Sequence, residues 1–354
     1  MSARVAKVLE SLAERELDAL LVTGLVNVRW LTGFTGSSGL AVLGHDVCRF
    51  VTDFRYLTQA DDEVSDAFTH EIATDLLERG ASGLPAGRVG FDSDDLSVRQ
   101  FERLQELVGE GVELVPAGGL LEELRLVKDA SEIAAVRAAA QLADDALTEV
   151  LSIGIVGRTE KDVALELEFA MRRRGAEGVS FPPIVAAGAH GALPHASPRD
   201  VEIPAGTLVV IDWGCMLDGY ASDCTRTYAT GDLDPRDRAV YDTVLEAQLA
   251  ALEAVRPGPL GREVDAVARD IITAAGHGEH FGHGLGHGVG LEVHEGPRLS
   301  VKGETALAAG QIVTVEPGIY LPDQVGVRIE DLVVVTEDGY DVLSSLPKTL
   351  TTVS

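Results

Sequence analysis

Four carboxylates lie in otherwise apolar, strand-like runs: Asp212 in LVVIDWG, Asp223 in GYASDCTRT, Glu316 in QIVTVEPG and Glu330 in VGVRIEDLVVV. Leu217-Asp218-Gly219 reads as the turn of a β-hairpin between the first two. A symmetric register puts Asp212 directly across from Asp223, with side chains about 5 Å apart on one face. Pro322-Asp323-Gln324 marks a second turn, and pairing about Asp323 sets Glu316 against Glu330. Like charges so placed repel unless a cation lies between them. Any one of the four reads equally well as a strand-edge residue facing water. Jointly they call for divalent cations.

A fifth donor lies in Phe281–Glu295, FGHGLGHGVGLEVHE, where glycine occupies every second position from 282 to 290. In extended chain the glycines share one face, which lets another backbone approach closely, and His283, Leu285 and His287 share the other. A structural zinc site usually takes three or four N/S ligands, whereas carboxylates dominate here. An oxygen-rich set with one imidazole suits manganese, the expected occupant, and equally cobalt, iron(II) or zinc. Two cations sharing bridging carboxylates acidify a water between them and polarise a carbonyl, the machinery of hydrolytic two-metal enzymes. His195, His283 and His294 are further imidazoles able to donate protons or hydrogen bonds, although singly each reads as a structural histidine. Arg328, two residues before Glu330, shares its strand face and can offset carboxylate charge.

The elements that must position these groups show an internal repeat. At a shift of 104 residues the helical run 135–150 falls on 239–254, and GIVGR at 154–158 falls on GPLGR at 258–262. AGTLVVIDWG at 205–214 then falls on AGQIVTVEPG at 309–318, which lays Asp212 on Glu316. Two related helix–helix–strand halves follow, with the site expected between them. Ahead of them, residues 1–123 alternate strand and helix patterns, with strands near 18–22, 39–43, 47–52, 88–91 and 112–115. Helices are expected near 3–16, 54–60 and 97–110, giving a small α/β domain. The second domain, 124–354, opens with Ser131 as the expected N-cap of a long Ala-rich helix from Glu132.

A net charge of −28 argues against nucleic acid or an anionic membrane as partner. With 45% hydrophobic and 24% charged residues, the chain has the composition of a folded soluble protein. Cys48, Cys215 and Cys224 are too few and too scattered for a disulfide framework, so a cytoplasmic location is expected. The N-terminus reads as a charged amphipathic helix rather than a signal peptide, and no run of apolar residues is long enough to span a bilayer.

The Asp212/Asp223 pair with GYASDCTRT, the HGLGHGVGLEVHE run, VEPGIY and VRIED together resemble the pita-bread metallopeptidases, the family of methionine aminopeptidase, aminopeptidase P and prolidase. NVRWLTGFTGSSG and TDFRYLTQA resemble the N-terminal domain of aminopeptidase P and prolidase, which methionine aminopeptidases lack. Creatinase shares both domains without the metal ligands. The resemblance implies an α/β two-domain protein, a creatinase-like α/β domain followed by a pseudo-two-fold pita-bread domain. It also implies two metal ions on Asp212, Asp223, His287, Glu316 and Glu330, bridged by Asp223 and Glu330. By the same resemblance His195, His283 and His294 line the substrate pocket, His195 and His294 near the scissile carbonyl, and the N-terminal domain serves a homodimer. Asn27 stands where some relatives carry Asp.

The implied substrates are proline-containing peptides. Aminopeptidase P accepts longer peptides, whereas prolidase accepts dipeptides and must recognise their free carboxylate, for which Arg55 or Arg328 could serve. TDFRYLTQA looks closer to short bacterial aminopeptidases P, so cleavage before proline by an aminopeptidase is the first expectation and Xaa-Pro dipeptidase the second. A non-catalytic binding module on the same fold is the remaining alternative.

Overall fold

The computed structural model describes residues 3–354, and the chain divides into two compact units, Met1–Arg125 and Leu126–Ser354. In the first unit six strands form one mixed sheet: β1 (Ala19–Val22), β2 (Gly39–Gly44), β3 (Val47–Thr52), β4 (Thr69–Ile72), β5 (Gly87–Phe91) and β6 (Val112–Pro116). Their order is β4-β3-β2-β1-β5-β6, antiparallel across β1, β2 and β3 and parallel elsewhere. The helices are α1 (Ala3–Glu14), α2 (Leu25–Thr32), α3 (Leu57–Glu63), α4 (Leu76–Ala81), α5 (Val98–Leu107) and α6 (Leu120–Arg125). Leu21, Leu40, Val42, Val51, Phe91 and Leu104 form a core of this unit.

Asn27, buried on α2, is held by other residues of the same unit. Its Nδ2 donates to Asp92 (3.0 Å) and Glu122 (2.7 Å), and its Oδ1 accepts from Arg125 (2.8 Å). Arg55 forks onto Asp53 through Nε (2.8 Å) and Nη2 (2.7 Å).

The second unit is built from four helices over twisted antiparallel sheets. The helices are α7 (Ala130–Ile153), α8 (Glu160–Arg173), α9 (Pro235–Ala254) and α10 (Gly261–Ala274). The N-cap of α7 is Asp129, not Ser131: its carboxylate accepts from the Ser131 and Glu132 amides, and Glu132 answers onto the Asp129 amide. A carboxylate that closes a capping box outcompetes a hydroxyl two residues on. Along α7, Val136, Ala139, Ala143, Leu147 and Val150 recur at helical spacing and face the core.

The strands are β7 (Gly178–Val179), β8 (Ile184–Ala187), β9 (Leu208–Trp213), β10 (Cys215–Leu217), β11 (Tyr220–Ala221) and β12 (Cys224–Ala229) in the first half. In the second they are β13 (Gly286–Gly288), β14 (Glu295–Leu299), β15 (Ile312–Val315), β16 (Gly318–Leu321), β17 (Val325–Arg328), β18 (Asp331–Val335) and β19 (Tyr340–Val342). The 104-residue repeat is visible in the backbone. Gly154 and Gly258 have φ of 91° and 112°, and Gly206 and Gly310 have φ of 79° and 86°, the left-handed region that glycine enters at little cost. Gly206 and Gly310 each lie two residues before the equivalent strands β9 and β15, which begin at Leu208 and Ile312. Each half has its own apolar core, one around Trp213 and Val185, the other around Val313 and Val333. Among the described residues no helix is long and apolar enough to cross a membrane.

Candidate metal and active site

The first hairpin turns one residue later than the symmetric reading expects. Asp218 (φ 48°) and Gly219 (φ 75°) are the two central residues of the turn, both left-handed, with Leu217 paired to Tyr220. Two consecutive positive φ values match strand twist in a two-residue hairpin loop. This moves the register, so Asp212 pairs with Thr225 rather than with Asp223. The ladder breaks at Gly214, where a Cβ would lie 2.0 Å from the Ser222 carbonyl oxygen, and Asp223 falls in the gap between β11 and β12. Across that break the carboxylates still meet: Asp212, Asp223 and Glu330 offer ligand oxygens within 4.8 Å of one another.

The second hairpin has the register expected from Asp323. Val315 pairs with Asp331 and Gly318 with Arg328, which leaves Glu316 and Glu330 aligned where the ladder is interrupted. The Glu330 amide donates to the Thr225 carbonyl (3.0 Å), joining the two hairpins beside the carboxylates. Thr225 Oγ1 donates to one Glu330 oxygen (2.8 Å), and buried Arg226 donates to the Glu330 carbonyl and to Asp331 (2.8 Å).

His287 sits on β13, opposite these carboxylates. Its Nδ1 lies 3.0 Å from the Gly288 carbonyl, so Nδ1 carries the proton and Nε2 faces Glu316 (3.3 Å) and Asp223 (3.6 Å). Fixing a metal-binding imidazole through its second nitrogen is the usual way to aim the first. A lone pair pointed at two carboxylates needs a proton or a cation between them. Burial pulls the His287 pKa down, but Glu316 outweighs it and the net shift is upward. Glu316, raised by burial, is brought down to about 2 by the same contact. Burial, and then repulsion from neighbouring carboxylates (Glu330 on Asp223, Glu316 on Glu330), push Asp223 and Glu330 well above the ordinary carboxylate range.

The donor set fits divalent metal. Among the described residues Asp212 Oδ1 and Glu330 Oε1 are buried with no hydrogen-bond partner, although such oxygens are expensive to leave unmet. Asp223 belongs both to the all-carboxylate group and to a second with His287 and His294.

Around these ligands lies a cavity of about 750 Å³. His195, exposed on the loop after β8, and His294, whose ring centroid is 4.5 Å from that of His287, both line it. His283 also lines it, but its two nitrogens are engaged, Nδ1 with the Gly284 carbonyl (2.7 Å) and Nε2 with the Tyr320 hydroxyl (2.9 Å). Arg328 is 4% exposed and spends four of its five N–H groups, on Asp212 (2.6 Å), Tyr320 (2.8 Å), Thr225 (3.0 Å) and the Pro194 carbonyl (3.2 Å). Its geometry is that of a countercharge to Asp212, not of a free hand for substrate.

Arg298 is the residue that sequence reasoning missed. It projects from β14 into the cavity wall, is exposed, and among the described residues makes no hydrogen bond or ion pair through its side chain. Its charge is felt at both His287 and His294. The available signal was its position four residues after His294 on a short strand. Phe181, Pro182, Pro183 and Ile184 supply an apolar wall of the same cavity.

In metal-free protein the crowded carboxylates give a testable stability effect. A carboxyl whose folded pKa is raised stabilises the fold at low pH and destabilises it as pH climbs past the ordinary carboxylate value. Glu330→Gln removes that penalty and points an amide N–H at its neighbours. In chelator, Glu330→Gln is therefore expected to melt at or above wild type at pH 7, with the gap narrowing at pH 5. Calorimetry showing a large drop at both pH values would mean that Glu330 is needed by the fold itself.

Carboxylates and an imidazole from two pseudo-symmetric halves thus converge in groups that could hold metal ions. The model of metallopeptidase family M24 matches residues 134–337, and that of the creatinase/prolidase N-terminal domain matches residues 4–127. The chain is similar to an Xaa-Pro dipeptidase of Pyrococcus horikoshii, 33% identical over 99% of each chain. Among solved structures it is similar to an Xaa-Pro dipeptidase from Bacillus anthracis (TM-score 0.95, 38% identity, 99% of each chain). It is also similar to an X-Pro aminopeptidase from Thermotoga maritima (TM-score 0.89, 34% identity, covering 96% of this chain and 99% of that one). The chain belongs to metallopeptidase family M24 and is a peptidase of the pita-bread fold, with a creatinase-type N-terminal domain. Membership implies divalent metal ions.

Proposed function

We propose that this peptidase is an Xaa-Pro dipeptidase that uses two divalent ions, manganese first among the candidates. The relatives favour the dipeptidase, which the sequence analysis placed second, over the aminopeptidase it placed first. Asp212, Asp223, His287, Glu316 and Glu330 would hold the ions, with Asp223 and Glu330 shared. When bound, such ions acidify water and polarise a carbonyl. The chain's own groups do the rest. The apolar wall at Phe181–Ile184 suits a prolyl ring, and His195 and His294 are available to donate hydrogen bonds to the scissile carbonyl oxygen or to hold a proton for the leaving prolyl amine nitrogen.

The observation that carries the dipeptide reading is Arg298, a guanidinium on the cavity wall that has no side-chain partner among the described residues. A dipeptide presents a carboxylate just beyond the scissile bond, and a guanidinium fork matches it in shape and charge. Arg55 is paired with Asp53 and Arg328 with Asp212, so neither matches that description. A charge-assisted hydrogen bond contributes roughly 1.5–3 kcal/mol, or about 10- to 100-fold in binding. Arg298→Ala is thus expected to raise KM for Xaa-Pro by about that factor and to leave an Xaa-Pro amide nearly unaffected. Wild type should turn over Xaa-Pro far better than Xaa-Pro-Xaa. Equal turnover of the tripeptide, with no response to Arg298→Ala, would return the reading to aminopeptidase.

A further inference from the structure

The loop that carries His195 begins and ends on one buried carboxylate. Glu160, the first residue of α8, is 1% exposed. It accepts hydrogen bonds from the Ala187 amide (3.0 Å), His190 Nδ1 (3.1 Å), the Arg199 amide (2.9 Å), Arg199 Nε (3.1 Å) and Arg199 Nη2 (3.0 Å). Ala187 and His190 precede the loop and Arg199 follows it. Between them, Pro194, His195, Ala196, Ser197 and Pro198 all line the cavity. The Glu160 and Lys161 amides add bonds to the Val201 and Arg199 carbonyls, each 3.1 Å.

A helix N-terminus accommodates a carboxylate without further help, and an exposed Glu at this position would supply that benefit. Full burial is costly and is repaid only when every lone pair is met. Here every donor comes from the two stems of the His195 loop. We infer that Glu160 is a positioning residue for the peptidase reaction, fixing the His195 loop by tying its ends together. The inference rests on the reading of His195 as a substrate-facing group. With both stems fixed and Ala196 buried against Ile184 and Ala186, the turn that exposes His195 has few conformations left, so His195 spends more of its time where substrate meets it. An untied loop reduces the competent fraction and turnover falls in proportion.

The test uses Arg199→Ala, which cuts the tie at a half-exposed side chain, together with Glu160→Gln. Values of kcat and KM for Xaa-Pro are measured for the metal-loaded protein in wild-type and His195→Ala backgrounds, and backbone hydrogen exchange is followed over 187–199. Loss of a bidentate charged contact should lower kcat/KM roughly tenfold in the wild-type background. In the His195→Ala background the same change should cost less than about twofold, because the two residues act as one unit. Arg199→Lys, which keeps charge but not the fork, should restore part of the loss. Exchange at Leu193, His195, Ala196 and Ser197 should quicken, with α8 unchanged. Equal losses in both backgrounds would overturn the inference, as would unaltered exchange in the loop. The exchange result stands even if Xaa-Pro proves not to be the substrate, so failure of the substrate reading and failure of the positioning role are separable.

Discussion

Asp223→Ala is expected to lose bound metal and to lower peptidase activity by on the order of a thousandfold or more. Asp223 is the residue common to both groups of side chains that could hold a metal ion, with Asp212 and Glu330 in one and His287 and His294 in the other. Removing it takes a donor from each group at once. The metal's electrostatic contribution to such chemistry is several kcal/mol, and each 1.36 kcal/mol is tenfold in rate. Arg328→Ala provides the comparison. It removes a buried cation that bonds to Asp212 at 2.6 Å but leaves both ligand groups complete. Elemental analysis should find metal largely retained in Arg328→Ala and depleted in Asp223→Ala, with activity following the metal. Equal depletion in both variants would mean that Asp223 is no more central than a residue behind the site. Activity that persists after exhaustive chelation would remove the metal reading altogether.

How far the site could be read from the sequence differs between its two hairpins, for a physical reason. Around Asp323 the flanking strands are four residues each and buried at every position, so alternation cannot set the register, and the turn through left-handed Asp323 (φ 58°) sets it instead. Around Asp218 the flanking strands are interrupted at Gly214 and Asp223, and Asp-Gly can be centred in more than one way. The turn chemistry decided it, because Asp218 and Gly219 both take positive φ. The repeat was legible because the matched glycines sit where the backbone must enter the left-handed region, a demand composition cannot mimic. The start of α7 was placed two residues late because Ser131 and Asp129 are both good caps, and only the reciprocal bond from Glu132 separates them.

In the N-terminal unit, α2 escaped notice. Its run LVNVRWLT buries residues on nearly every side, so no 3.6-residue stripe marks it. Strand β4 is short and its side chains are mostly outside the core, so it lacks the hydrophobic alternation of its neighbours. Arg298 could not be told from any surface arginine, since its lack of a partner and its place on the cavity wall are properties of the fold. The converse holds for Arg328: its spacing from Glu330 gave its face correctly, but not that Asp212, Tyr320, Thr225 and Pro194 would occupy it.

His195→Ala should lower kcat for Xaa-Pro by roughly 10²–10³ while metal content stays at the wild-type level, the range typical of losing one donor to a developing oxyanion. As the scissile carbonyl is attacked, negative charge grows on its oxygen. A hydrogen bond aimed there is worth more in the transition state than in the ground state, so its loss falls on kcat. His283 cannot substitute, because its nitrogens are engaged by Gly284 and Tyr320. His294 lies against His287, ring centroids 4.5 Å apart, and is the second candidate donor to the carbonyl. His195 is exposed at the cavity on a loop whose stems are pinned elsewhere. The competing role, holding the loop or the ground-state substrate, predicts a raised KM with kcat nearly intact. Steady-state kinetics with metal content measured on the same samples separates the two. A fall in kcat without loss of metal supports the hydrogen-bonding role, and a change confined to KM would assign His195 to substrate binding alone.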